Sequence, residues 1–284
     1  MAKYIDIFTD YGFKKIFGEE ANKAILIDFL NALLPDKVHI KDLTFKNTEQ
    51  LPVTTDERRA VYDIYCESDK GEKFIVELQK AKQNYFIERT IYYSTFPISR
   101  QALKGDWNYN LKAVYCIGLL DFKFSDYTDK GEMGEVVHTH TIKNQHNRQV
   151  YDKLTYIYLE MPNFTKSEHE LETRLDKWLY FIKNLEDFQA IPEIFKNEVV
   201  FIEAIEKAEL SRMNEEAREA YDAGLKGYRD YLSTMRTAKS DGIEEGEQKK
   251  AIEIAKKCLQ KGMPVTDIVD LTGLTENEIR NIAV

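Results

Sequence analysis

Along the first 34 positions, apolar residues recur at helical spacing. Phe13, Ile16 and Phe17 form one stripe; Ala24, Ile25, Ile27, Phe29, Leu30, Leu33 and Leu34 form a second, ended by Pro35. The rhythm then changes, and extended runs are expected at 43–51, 60–67 and 73–80, with turn-forming residues between them. Residues 83–103 return to helical spacing, with Phe86, Thr90, Tyr93 and Ile98 set among polar positions. The run Val114-Tyr115-Cys116-Ile117-Gly118-Leu119-Leu120 is apolar and short enough for a buried strand. Further strands are expected at 134–142 and 154–160. From about 167 the pattern is helical. Trp178, Leu179, Phe181, Ile182 and Leu185 make one apolar face, and Phe195, Val199, Ile202 and Ile205 another. The stretch 214–262 is charged and helix-favouring. The pattern predicts an α/β domain over 1–165 and a helical region over 166–284.

Composition adds a core and removes several classes. The 284 residues are 43% hydrophobic and include 17 Tyr and 15 Phe, enough apolar material for a sizeable core. No stretch approaches the ~18 apolar residues of a membrane helix. The opening Met-Ala-Lys-Tyr-Ile-Asp has no apolar h-region, and Cys66, Cys116 and Cys258 are too scattered for a disulfide scaffold or a structural zinc site. A cytoplasmic protein without membrane association is expected. The net charge of −9 speaks against a nucleic-acid partner only until it is divided along the chain. Residues 1–125 hold 18 basic and 18 acidic side chains, whereas 161–284 hold 18 and 25. The α/β part is neutral.

The chemistry lies in two of the extended runs. Val61-Tyr62-Asp63-Ile64-Tyr65-Cys66-Glu67 and Lys73-Phe74-Ile75-Val76-Glu77-Leu78-Gln79 flank Asp69-Lys70-Gly71, which reads as a hairpin with Gly71 at a left-handed position. A three-residue loop sets Asp63 opposite Glu77, Tyr65 opposite Ile75 and Val61 opposite Gln79. Strand alternation puts Tyr62, Ile64, Cys66, Phe74, Val76 and Leu78 on one face and leaves Asp63, Glu77 and Gln79 on the other. Opposed residues have Cβ atoms about 5 Å apart, and two like charges placed there repel unless a cation lies between them. Hard oxygen ligands at this spacing suit Mg²⁺ or Mn²⁺ with several waters. The bland alternative is an acidic face on an exposed hairpin.

Asp63, thirteen intervening residues and then Glu77-Leu78-Gln79 resemble the Asp…(Asp/Glu)-x-Lys signature of the PD-(D/E)XK nuclease superfamily. Three other segments resemble one branch of it, the recombination-promoting nuclease / putative transposase family. These are Thr9-Asp10-Tyr11-Gly12-Phe13-Lys14-Lys15-Ile16-Phe17-Gly18, the run Arg89 to Tyr93, and Asp241-Gly242-Ile243-Glu244-Glu245-Gly246. The resemblance covers nearly the whole chain. It implies an α/β, restriction-endonuclease-like core with a mixed sheet flanked by helices, then an all-helical C-terminal part. The implied activity is Mg²⁺- or Mn²⁺-dependent cleavage of DNA. On that reading Asp63, Glu77, Asp10 and the Leu78 carbonyl hold the metal, Gln79 orients the attacking water, and Lys14 or Arg89 offsets charge on the phosphate. Gln79 departs from the superfamily's usual Lys, as members of this branch do. Asp10 also reads as a helix N-cap, Lys14 as a solvated surface residue, and Arg89 as a buttress for Glu77. A nuclease-fold protein that binds DNA without cutting, or an assembly protein working through its helical half, is the alternative.

Other constellations are weaker. His138 and His140 share a strand face but lack a third ligand, and an ordinary exposed strand is expected there. No GxSxG, Walker or GxGxxG motif occurs. Residues 265–279 read as helix, Gly turn, helix, with Thr275 and Glu278 at capping-box spacing. This pair resembles a helix-turn-helix, yet its second helix offers Glu276, Asn277 and Glu278, a poor surface for a DNA groove. Packing, or pairing of two copies as a homodimer, suits it better.

Overall fold

The computed structural model describes residues 2–50, 60–102, 108–123 and 134–282. Six strands form a mixed sheet: β1 (Leu43–Phe45), β4 (Ile64–Ser68), β5 (Lys73–Gln79), β6 (Val114–Leu120), β8 (Gln149–Glu160) and β7 (Val137–Lys143), in that spatial order. β5, β6 and β8 run parallel, and antiparallel strands complete both sides. Helix α3 (Phe86–Ser99) lies in the connection from β5 to β6, as a parallel pair requires. β6 is central and buried along its whole length, which is why its sequence is apolar without alternation.

The expected hairpin register holds from Ile64↔Val76 through Glu67↔Lys73, with Tyr65 opposite Ile75. Gly71 takes φ +83° in the loop, and its N–H donates to the Ser68 carbonyl. The regular ladder stops at Ile64, however. Asp63 lies in a bend, and the short strand β3 (Ala60–Val61) pairs with β2 (Glu49–Gln50) instead of continuing β4. Val61 therefore faces Glu49, not Gln79. The bend also breaks alternation. Tyr62 joins Tyr65, Ile75 and Cys116 rather than the Ile64–Cys66 side, packing edge-on to Tyr65 at 5.4 Å and to Tyr93 at 5.5 Å.

Helices flank the sheet. α1 (Asp10–Phe17) and α2 (Lys23–Leu33) carry the first two apolar stripes. α4 (Arg174–Asn184) and α5 (Val199–Lys207) pack on α2. Trp178 is fully buried there, with ring centroids 4.4 Å from Phe201, 5.8 Å from Phe29 and 5.9 Å from Phe17. Its indole N–H donates to Asp28 at 2.8 Å, and Arg174 forks onto the same carboxylate.

The chain divides into two compact units, Met1–Gly224 and Leu225–Val284, rather than near residue 165. Residues 166–207 read as helical, but their aromatic face is buried against α1 and α2 and belongs to the first unit. In the second unit, the end of α6 (Glu215–Gln260) packs with α7 (Val265–Thr272) and α8 (Glu276–Ile282). Ala255, Ile268, Leu274 and Ile279 form that small core. Gly273 ends α7 at φ +71°, and Thr275 and Glu278 make the expected capping box. Among the described residues no helix is long and apolar enough to cross a membrane.

Candidate active site

The bend at Asp63 exchanges ladder bonds for side-chain bonds. The Asp63 N–H donates to Glu77 Oε1 at 3.3 Å, and the Leu78 N–H donates to Asp63 Oδ2 at 2.8 Å. At the end of β4 the Glu77 carboxylate is thus held by the Asp63 backbone, and the Asp63 carboxylate by the Leu78 backbone. Glu77 is only 9% exposed, and its carboxyl is pushed up to about 8, mainly by burial and then by the charge of Asp63. Asp63 is also raised, mainly by burial, with the Leu78 N–H and Lys14 acting against it.

α1 brings its cation to this pair. Thr9 caps the helix by accepting from the Gly12 N–H at 3.0 Å, so Asp10 is the first helical residue and not the cap. Gly12 is required by space. A Cβ there would come within 2.1 Å of the Asp6 carbonyl oxygen and 2.8 Å of Thr9 Oγ1. One turn on, Lys14 Nζ lies 3.1 Å from Asp10 and 3.9 Å from Asp63. Asp10 thus meets the carboxylate pair through Lys14. Among the described residues no group of three or more acidic, His or Cys side chains gathers as a metal site. The donor set is two carboxylates, and it fits a hard divalent ion that keeps most of its water or takes substrate oxygens.

Gln79 lies on β5 two residues beyond Glu77 and is 8% exposed. Both ends of its amide are engaged. Nε2 donates to the Ala81 carbonyl at 3.0 Å, and Oε1 accepts from Arg89 Nη2. Arg89 comes from the first turns of α3, where Nη1 donates to Gln83 at 2.6 Å and the guanidinium lies near the rings of Phe86 and Tyr93. Tyr92 turns outward and is 40% exposed. Sequence reading missed Thr9, Gln83, Phe86 and Tyr93 as supports. Only Thr9 had a local signal, as a capping residue three positions before the Gly12 N–H it binds.

The histidines do not form a site. His138 is buried, contrary to expectation, and lies 3.8 Å from the buried Glu160; His140 packs on Tyr158.

A mixed sheet whose strand end presents Asp63, Glu77 and Gln79, with a basic helix beside it, has the layout of a nuclease core. The sequence model of the PD-(D/E)XK nuclease family transposases matches residues 7–238, and that of the Rpn/YhgA-like nuclease family C-terminal HTH domain matches 248–284. The chain belongs to this PD-(D/E)XK nuclease family. No curated protein and no solved structure gives a significant match.

Proposed function

We propose that the protein is a divalent-metal-dependent endonuclease acting on DNA phosphodiesters in the cytoplasm. The observation that carries this reading is the Asp63–Glu77 pair: two close, half- to fully buried carboxylates raised by burial and, at Glu77, by mutual repulsion. Such a pair is relieved by a cation. Asp63, Glu77 and the Leu78 carbonyl would hold Mg²⁺ or Mn²⁺. When bound, such an ion polarises the scissile phosphate and acidifies the attacking water. Asp10 holds Lys14 in place, and Lys14 offsets negative charge where the phosphate docks. The C-terminal helical unit pairs two copies of the chain.

The test is cleavage of supercoiled DNA by the wild type and Asp63→Ala in Mg²⁺, Mn²⁺, Ca²⁺ and EDTA. Nicking that needs Mg²⁺ or Mn²⁺ and disappears in the variant is expected. A second reading, a nuclease-fold protein that binds DNA without cutting, is favoured by the uncharged Gln79. DNA binding with no cleavage in any metal would select it.

A further inference from the structure

We infer that Gln79 is a positioning residue whose task is to fix Arg89, and that Arg89 is a second phosphate-contacting cation of the site, beside Lys14. The inference rests on the nuclease reading and deepens it.

The Gln79 amide is fastened at both ends, by the Ala81 carbonyl and by Arg89, so it cannot swing to follow an attacking water. Its carbonyl oxygen holds one arm of a guanidinium whose other arm is held by Gln83. The rings of Phe86 and Tyr93, with centroids 5.3 and 5.8 Å from the guanidinium carbon, fix its position from the sides. Four contacts of this kind on one side chain are more than helix packing requires.

Yet the charge itself is unspent. No carboxylate lies within ion-pair distance of Arg89 among the described residues, although Glu77 is close enough to feel its field. The Nε–H is buried and has no hydrogen-bond partner. Buried donors are rarely left so, and an anionic oxygen entering the site would satisfy it. Gln79 and Glu77 share a face of β5 by strand period, so anchoring on Gln79 brings the guanidinium to the carboxylate side. A strand lysine would have stood among the carboxylates. Here the cation comes from the helix, always charged and forked to match phosphate geometry, and the strand supplies its holder.

The experiment is a double-mutant cycle with full-length protein, using Arg89→Ala, Gln79→Met and the double variant. Single-turnover nicking of supercoiled DNA is read in Mn²⁺, and affinity for a short duplex is read in Ca²⁺. Arg89→Ala should slow cleavage about 100-fold and Gln79→Met about 10-fold, with the double variant no slower than Arg89→Ala, because residues acting in series are not additive. Added guanidinium ion should restore part of the Arg89→Ala activity only while Gln79 is present. A general packing role would not produce that dependence. Multiplying effects, or a Gln79→Met enzyme equal to wild type, would overturn the inference. Should Gln79→Met fail to fold, Gln79→Glu keeps the acceptor and should retain the guanidinium rescue; its loss would count equally against the proposal. If the wild type does not cleave, the nuclease reading falls. The duplex affinities then decide: weakening by each single change, with no further loss in the double, supports Arg89 as a phosphate contact, and its absence overturns it.

Discussion

Glu77 holds a proton in the folded chain at pH values where the unfolded chain has already lost it. Its contribution to stability is therefore complete below about pH 4.5, the ordinary value, and is lost as pH rises towards 8. Glu77→Gln should leave the melting temperature near wild type at pH 4.5 and raise it at pH 8.5, measured by thermal unfolding without metal. Adding Mn²⁺ at pH 8.5 should raise the wild-type melting temperature and leave Glu77→Gln nearly unchanged, because the metal neutralises the buried, ionised pair. In cleavage assays, Asp63→Asn and Glu77→Gln should each lose about 100-fold or more, the scale expected for a missing metal ligand. Gln79→Lys places an ammonium against Arg89 as well as beside Glu77. Activity should stay level or fall, and a large gain from a silent wild type would favour the binding protein. At this scale the sequence was informative because residue types at fixed spacing mark out a candidate carboxylate pair, which the fold brings together. It could not give the supports. Gln83, Phe86 and Tyr93 matter only through where α3 sets them.

The hairpin register was legible because loop length fixes pairing in an antiparallel ladder. The departure at Asp63 was not. It arises from the pairing of β3 with β2, a contact between segments that nothing local in Val61-Tyr62-Asp63 announces. Alternation then misplaced Tyr62, since a period-two rule fails wherever the strand bends. α1 makes the opposite case. Its position is set by a missing side chain, and Gly12→Ala forces a shift against backbone that no rotamer can relieve. That variant should lose about 1–3 kcal/mol in denaturant unfolding. It should also cleave more slowly, since Lys14 rides on the displaced helix. Wild-type stability in Gly12→Ala would show that α1 approaches Asp6 less closely than described.

Across the whole molecule, a change of secondary structure is not a change of folding unit. Hydrophobic period marks the switch to helix near 166, but what the helices cover decides where a unit ends. Trp178 and Arg174 reach back to Asp28 on α2, so a fragment ending at 165 strips the cover from α1 and α2. That fragment should show no cooperative unfolding, whereas 1–224 should melt as one transition. Within the full chain, Trp178→Ala should destabilise by about 3–5 kcal/mol, as large-to-small changes at buried aromatics do. If 1–165 folded alone, the helical face of 174–207 would be an accessory and not part of the core.

The exchange of ladder bonds for carboxylate bonds has a spectroscopic consequence. Two backbone amides end on the two acids themselves: Leu78 on Asp63, and Asp63 on Glu77. Their proton resonances should move with the ionisation of each carboxylate and again when a cation takes over the oxygens. The Leu78 and Asp63 signals are in effect a built-in pair of electrodes, one for each acid, readable without substrate, label or turnover.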